Sequence, residues 1–275
     1  NGKIFDPCSG INDLKNGSVN FIGDIEKRIN EDYLRILRFF RFYAYYGKTN
    51  LNKKDLTICK NFSFFLRKLS AERIYLEFKK ILESDYPYQI LKLMKKNNIL
   101  KNIIFGKLNL ERIKNLEKFN KKKKFLDFYL KLSAILPENI DSLKKNINFL
   151  KLPNEEADKI KKIFLNKKKF RLKTTKNDIL KSTYVLGKNL FIDLVIFDCI
   201  KRKRNNKSLK EYMYAINLAK RAKLPKFPIR GKDVLNLGIQ SGPYVGKILQ
   251  KIEKWWMKND FKPNKKECIT KIKSL

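Results

Sequence analysis

Through most of this chain apolar residues return every three or four positions, the spacing that gives a helix one buried face. Glu31 to Tyr46 reads as one long amphipathic helix closed by Gly47. Ser70 stands at the N-cap of a second, Ala71 to Leu82, with Ile74, Leu76, Phe78, Ile81 and Leu82 apolar. Further helices are predicted at Tyr88–Asn97, Leu110–Phe119, Phe125–Leu136, Ser142–Leu150, Glu155–Leu165, Asp178–Arg202 and Leu209–Ala222, punctuated by Pro137, Pro153 and the Pro225/Pro228 pair. One segment reads differently. Asp13 to Ile22 has a hairpin pattern with Asn16-Gly17 as its two-residue turn. An isolated hairpin is marginal in water, so the pattern predicts the edge of a larger sheet and an N-terminal truncation. The expected fold is mainly α, an elongated series of helices with an N-terminal β-hairpin remnant.

Composition changes the picture in two ways. The 275 residues carry 64 Lys and Arg against 27 Asp and Glu, a formal charge of +37. Such a surface favours nucleic acid, because neutralised phosphates release counterions. Part of the excess also fits codon bias, since Lys, Asn and Ile crowd the whole sequence. No His is present, which removes imidazole acid–base chemistry, Ser-His and Cys-His nucleophiles, and His-ligated metals. Cys8, Cys59, Cys199 and Cys268 are scattered, without zinc spacing, as in a reducing compartment. Leu190 to Ile200 is too short to span a membrane and contains Asp193 and Asp198, so a soluble cytoplasmic protein with no membrane partner is expected.

Candidate chemistry concentrates in Glu31-Asp32-Tyr33-Leu34-Arg35-Ile36-Leu37-Arg38-Phe39-Phe40-Arg41-Phe42. On a continuous helix Asp32 and Arg35 share a face. Cytosine and adenine both present an amino donor beside a ring-nitrogen acceptor, which a carboxylate and a guanidinium match. Guanine and uracil present the reverse order and leave both side chains unmet. By spacing alone the pair is an ordinary surface salt bridge. Arg73 and Glu77 are likewise spaced for a simple helix pair. In the tail, Gly242-Pro243 suits a helix start where Lys247, one turn in, could help free amides hold a phosphate. A tight loop feeding a core helix explains the same residues. Lys201–Lys207 reads as an exposed basic loop, offering Lys201, Arg202 and Arg204.

Together, Asp6-Pro7-Cys8-Ser9-Gly10-Ile11-Asn12-Asp13-Leu14, then Gly23-Asp24, then the Glu31–Phe42 run resemble class II tRNA nucleotidyltransferases, the CCA-adding enzymes and bacterial poly(A) polymerases. Phe227 to Leu235, Gly238, Gly242-Pro243, Gly246 and Trp255-Trp256 resemble the C-terminal region of alphaproteobacterial members. The resemblance implies a head edge at 1–23, a templating neck at 24–84, a helical body at 85–222 and a tRNA-binding tail at 223–275. It implies nucleotide binding by Asp32 and Arg35 with Glu31 and Arg38. Support would come from Asp6, Gly10, Asp13, Arg41, Arg73 and Glu77, and RNA contacts from Lys201, Arg202, Arg204, Arg230, Gly242 and Lys247. The implied reaction extends tRNA 3′ ends from CTP and ATP. Its Mg²⁺ would be held by a head whose D-x-D carboxylates do not stand in this sequence, so the chain is expected to template and bind but not catalyse alone. An A-adding enzyme or poly(A) polymerase is the alternative within the family, and a non-catalytic helical RNA-binding protein the alternative outside it. One departure is Ser9, where the family motif has its first glycine.

Overall fold

The computed structural model describes residues 2, 4–119, 127–201 and 209–275. Among them it contains sixteen α-helices, two short 3-10 helices and no strand. The chain divides into two compact units, one formed by Asn1–Phe170 with Ile196–Asn205 and the other by Arg171–Val195 with Asn206–Leu275.

In the first unit the expected hairpin is replaced by a helix, α1 (Gly10–Asn16). The Asp6 carboxylate accepts from the Gly10 and Ile11 backbone N–H groups at 2.7 and 2.8 Å, starting the helix. Those amides, Ile11 first, hold the Asp6 carboxyl below its ordinary range. Gly17 ends the helix in the left-handed region, at φ 65°. An Asn-Gly hairpin turn needs the same φ, which is why the pattern was ambiguous. The Gly17 carbonyl then accepts from the Lys48 N–H at 2.8 Å, beyond the far end of α3.

The long helix expected over Glu31–Tyr46 starts instead at Leu34, as α3 (Leu34–Tyr46), and a separate helix, α2 (Ile25–Glu31), ends where it was expected to begin. Asp32 is extended, and its Oδ1 accepts from the Leu34 N–H at 3.1 Å, so its side chain interrupts one helix and opens the next. After α4 (Lys53–Phe62) and a 3-10 helix at Ser63–Lys68, α5 (Ala71–Glu83) packs along α3. Ser70 occupies its N-cap position without making the side-chain bond.

Helices α6 (Pro87–Lys96), α7 (Leu110–Phe119), α8 (Phe128–Ile135), α9 (Ile140–Phe149) and α10 (Asn154–Asn166) follow. Helix α8 packs against α5, α7 and α10 and is apolar on nearly every side, as a central core helix must be. Its one charge, Lys131, donates to the Leu82 and Ser84 carbonyls that end α5. Lys167 is a costlier burial. Its Nζ lies 3.2 Å from the centre of the Phe164 ring without a hydrogen-bond partner. Burial, and then the neighbouring Arg112 charge, lower its pKa to about 7; Glu138 opposes this, while Lys201 and Lys168 add to it.

The second unit holds α11 (Lys176–Leu186), the first part of α12 (Lys188–Lys201), α13 (Leu209–Arg221), α14 (Gly231–Leu235), α15 (Pro243–Lys258) and α16 (Lys265–Lys273). The helix expected over Asp178–Arg202 breaks at Gly187, whose φ of 77° lies outside the helical region. Ile248, Ile252 and Trp256 of α15 join Ile229, Val234, Cys268 and Ile272 in one core.

Two outcomes test these packing arguments. Gly17→Ala would strain a left-handed residue and bring its Cβ to 2.5 Å from the Lys48 Cβ. Urea denaturation should show a loss of about 1–3 kcal/mol. For Lys167 the folded pKa lies below the unfolded one, so above about pH 7 the folded chain has released a proton that the unfolded chain keeps. Stability should therefore rise with pH from about 7 toward the ordinary lysine value of 10.5. Lys167→Met should flatten that slope and raise the thermal midpoint at pH 7.

Candidate functional site

The α2–α3 junction and the first half of α5 build one charged network. Glu31, at the end of α2, pairs with Arg28 at 2.8 Å and Arg35 at 2.9 Å. Asp32, one residue on, instead meets Arg73 Nη2 at 2.8 Å through its Oδ2. Glu77, one turn beyond Arg73 on α5, is 6% exposed and lies 2.7 Å from Arg41 Nε and 3.6 Å from Arg38 Nε. The Arg41 contact is an ion pair without the alignment of a hydrogen bond. Arg73 and Glu77 thus reach across to the α2–α3 junction and to α3, rather than pairing along their own helix.

Arg35 and Arg38, with Arg28, line a cleft of about 310 Å³ whose other walls are Val19, Asn20, Phe21, Ile22, Phe39 and Phe42. Phe21 stacks on Phe39 with centroids 4.7 Å apart, and the Arg41 guanidinium lies 4.4 Å from the centre of the Phe42 ring. Flat apolar rings and three guanidiniums suit a ligand that has an aromatic ring and negative charge. Phe21, Phe39, Phe42 and Arg28 are additions to the sequence reading. Their available signal was the spacing of Arg35, Phe39 and Phe42 along one helix face.

Asp32 does not line this cleft, so Asp32 and Arg35 are neighbours held by different partners. Both keep spare capacity. A carboxylate offers about four acceptor sites, and Leu34 and Arg73 account for two; a guanidinium offers five donors, and the Glu31 contact engages one nitrogen. The carboxylates around the cleft are otherwise committed to cations. Among the described residues no three His, Cys, Asp or Glu side chains gather to hold a metal.

The remaining expected residues lie apart from the cleft. Asp6 and Gly10 form the start of α1, while Asp13 accepts from Asn20 at 3.3 Å. Lys201 lines a separate cleft of about 320 Å³ with Arg112, Asn115 and Lys118. Arg202 and Arg204, and with them the basic loop, lie outside the described residues. In the second unit Arg230 is exposed and its N–H donates to Asp233 at 2.8 Å. Gly242 precedes Pro243, the first residue of α15, and Lys247 is exposed one turn in.

Comparison with known proteins bears on this arrangement directly. Residues 56–105, which include α5, match the family described as "Probable RNA and SrmB- binding site of polymerase A". The mouse mitochondrial CCA tRNA nucleotidyltransferase 1 is 30% identical over 281 residues, covering 99% of this chain and 62% of the relative. A CCA-adding enzyme of Staphylococcus saprophyticus is 25% identical, covering 98% of this chain and 68% of the relative. Nearly the whole of this chain is similar in sequence to CCA-adding tRNA nucleotidyltransferases. It spans about 62% of the length of the mammalian relatives. The fold agrees. The Bacillus stearothermophilus CCA-adding enzyme in complex with CTP superposes with a TM-score of 0.72 at 18% identity, covering 98% of this chain and 68% of that one. The Thermotoga maritima CCA-adding enzyme complexed with tRNA gives 0.62 at 21%, covering 97% and 66%. No helix among the described residues is long and apolar enough to cross a membrane.

If Glu77 holds α3 in place, Glu77→Gln should leave Arg38 and Arg41 facing one another without a counter-charge. We expect a loss of about 1–3 kcal/mol in urea denaturation, reduced from a fully buried pair by the exposure of Arg38. Arg73→Ala removes a more exposed pair and should cost under about 1 kcal/mol.

Proposed function

We propose that this chain supplies base selection and RNA grip for nucleotidyl transfer to tRNA 3′ ends, with CTP and ATP as the nucleotides. The carrying observation is that Asp32 and Arg35 are each fixed by a partner, Arg73 and Glu31, beside a cleft lined by aromatic rings and three arginines. Asp32 accepts from the exocyclic amino group of cytosine or adenine, and Arg35 donates to the adjacent ring nitrogen. Guanine and uracil would turn a carbonyl toward the carboxylate and an N–H toward the guanidinium, leaving both pairs unmet at a few kcal/mol. Arg28 and Arg38 sit where the triphosphate charge would be balanced, with Arg41 and Glu77 keeping α3 against α5.

Solved CCA-adding enzymes of similar fold are complexes with tRNA, ATP and CTP, which agrees with this reading. The +37 charge favours RNA as the second ligand, through phosphate contacts that are insensitive to sequence. Lys201, Arg230 and Lys247 are assigned to that grip, together with Arg202, Arg204 and the Gly242 helix start. A cytoplasmic site of action goes with the reading, and the four cysteines are free thiols. Adenine fits the Asp32–Arg35 pair as well as cytosine does, so A-only addition uses the same residues.

The test is a chimaera joining this chain to the remaining part of a curated CCA-adding relative. Arg35→Ala and Asp32→Ala should each lower kcat/KM for both CTP and ATP by about 1–3 kcal/mol, because one pair serves both bases. Discrimination against UTP and GTP should relax in the same variants. A double variant that excludes UTP and GTP as strictly as the parent would place base selection elsewhere.

A further inference from the structure

The 3-10 helix at Ser63–Lys68 presents rings that the cleft does not use. Leu66 anchors this turn in the core, and Asn102 donates to Ser63 Oγ at 3.0 Å, so its backbone is held. Phe65 stacks on Tyr33 with centroids 4.8 Å apart and planes 20° from parallel. Phe64 meets Phe65 edge-on at 6.2 Å and is itself 60% exposed. Each ring has a cation beside it. The Arg67 guanidinium lies 5.4 Å from the Phe64 centroid, and the Lys68 ammonium 4.7 Å from that of Phe65.

A solitary exposed Phe needs no explanation. Here the ring projects from an anchored turn, continues a series that ends at the neighbour of Asp32, and is flanked by two positive charges. An apolar partner would leave those charges unmatched, and an acidic peptide would leave the ring uncovered. A base with its phosphate satisfies both, since stacking is tolerant of sequence and the flanking cations meet the backbone. From this juxtaposition we infer that Phe64, with Phe65, Arg67 and Lys68, forms a stacking platform for an unpaired base at the 3′ end of the bound RNA. The inference rests on the RNA-end reading above and adds to it a position for the acceptor strand. The platform positions RNA; it does not touch the reacting atoms.

The experiment uses the full chain and two RNA hairpins, one with an unpaired 3′ tail containing 2-aminopurine and one blunt. The parent should quench 2-aminopurine fluorescence and bind the tailed hairpin more tightly. Phe64→Ala should abolish the quench and bind the tailed hairpin roughly tenfold more weakly, leaving blunt binding unchanged. Phe64→Leu keeps apolar bulk without a ring and should behave like Phe64→Ala, while Phe64→Trp should restore both signals. The thermal midpoints should stay near the parent's, because the ring is mostly exposed. Unchanged quench and affinity in the Ala and Leu variants would overturn the platform, as would an equal loss on both hairpins. A parent that binds neither hairpin would instead sink the RNA-end reading, and the platform with it.

Discussion

Glu77 is the constraint from which the α3–α5 pair is built. A carboxylate with 6% of its surface exposed is tolerable only where cations meet it, and here both come from α3. The two helices pack together, and the apolar residues each buries, Ile36, Leu37 and Phe40 on α3 and Ile74, Phe78 and Ile81 on α5, favour that association. Apolar contact, however, is non-directional and would accept some sliding. The ion pairs at Arg38 and Arg41 fix the register, and that register sets where Arg73 stands when it reaches Asp32.

The electrostatics therefore run in a ladder from core to surface. Glu77 orders Arg38 and Arg41, Arg73 orders Asp32, and Glu31 orders Arg28 and Arg35. Each outer pair is exposed enough to contribute little to stability on its own. Their effect is positional: they reduce the rotamers available to the side chains around the cleft. The cleft's aromatic residues add shape, since Phe39 is packed in the core and holds Phe21 by stacking.

Much of this was legible in the sequence. The periodicities that gave α3, α5, α6 and α7 are amphipathic, with a buried stripe that reappears in the core. The failures came where one residue serves two geometries. Gly17 takes a left-handed φ that a hairpin turn and a helix C-cap both require, and only the Asp6 cap decides for the helix. Asp32 reads as a helix-surface residue until its carboxylate bonds the Leu34 N–H and breaks the helix. Arg73 and Glu77 have the spacing of a local pair, and their true partners lie 36 to 41 residues away, where no spacing rule reaches.

The bond from Lys48 to the Gly17 carbonyl has a mechanical consequence. Helix α3 is a beam of thirteen residues, about 20 Å long, secured near one end by Asp32 and Arg73 and beyond the other by this strap. A beam fixed at both ends cannot tilt about either one. Displacement of the N-terminal segment must then carry α3 along its own axis or leave it still, and Arg35, Arg38 and Phe39 travel together or not at all. The spacing of the side chains along that helix is thereby protected from local bending, and the helix remains open to a push along its length.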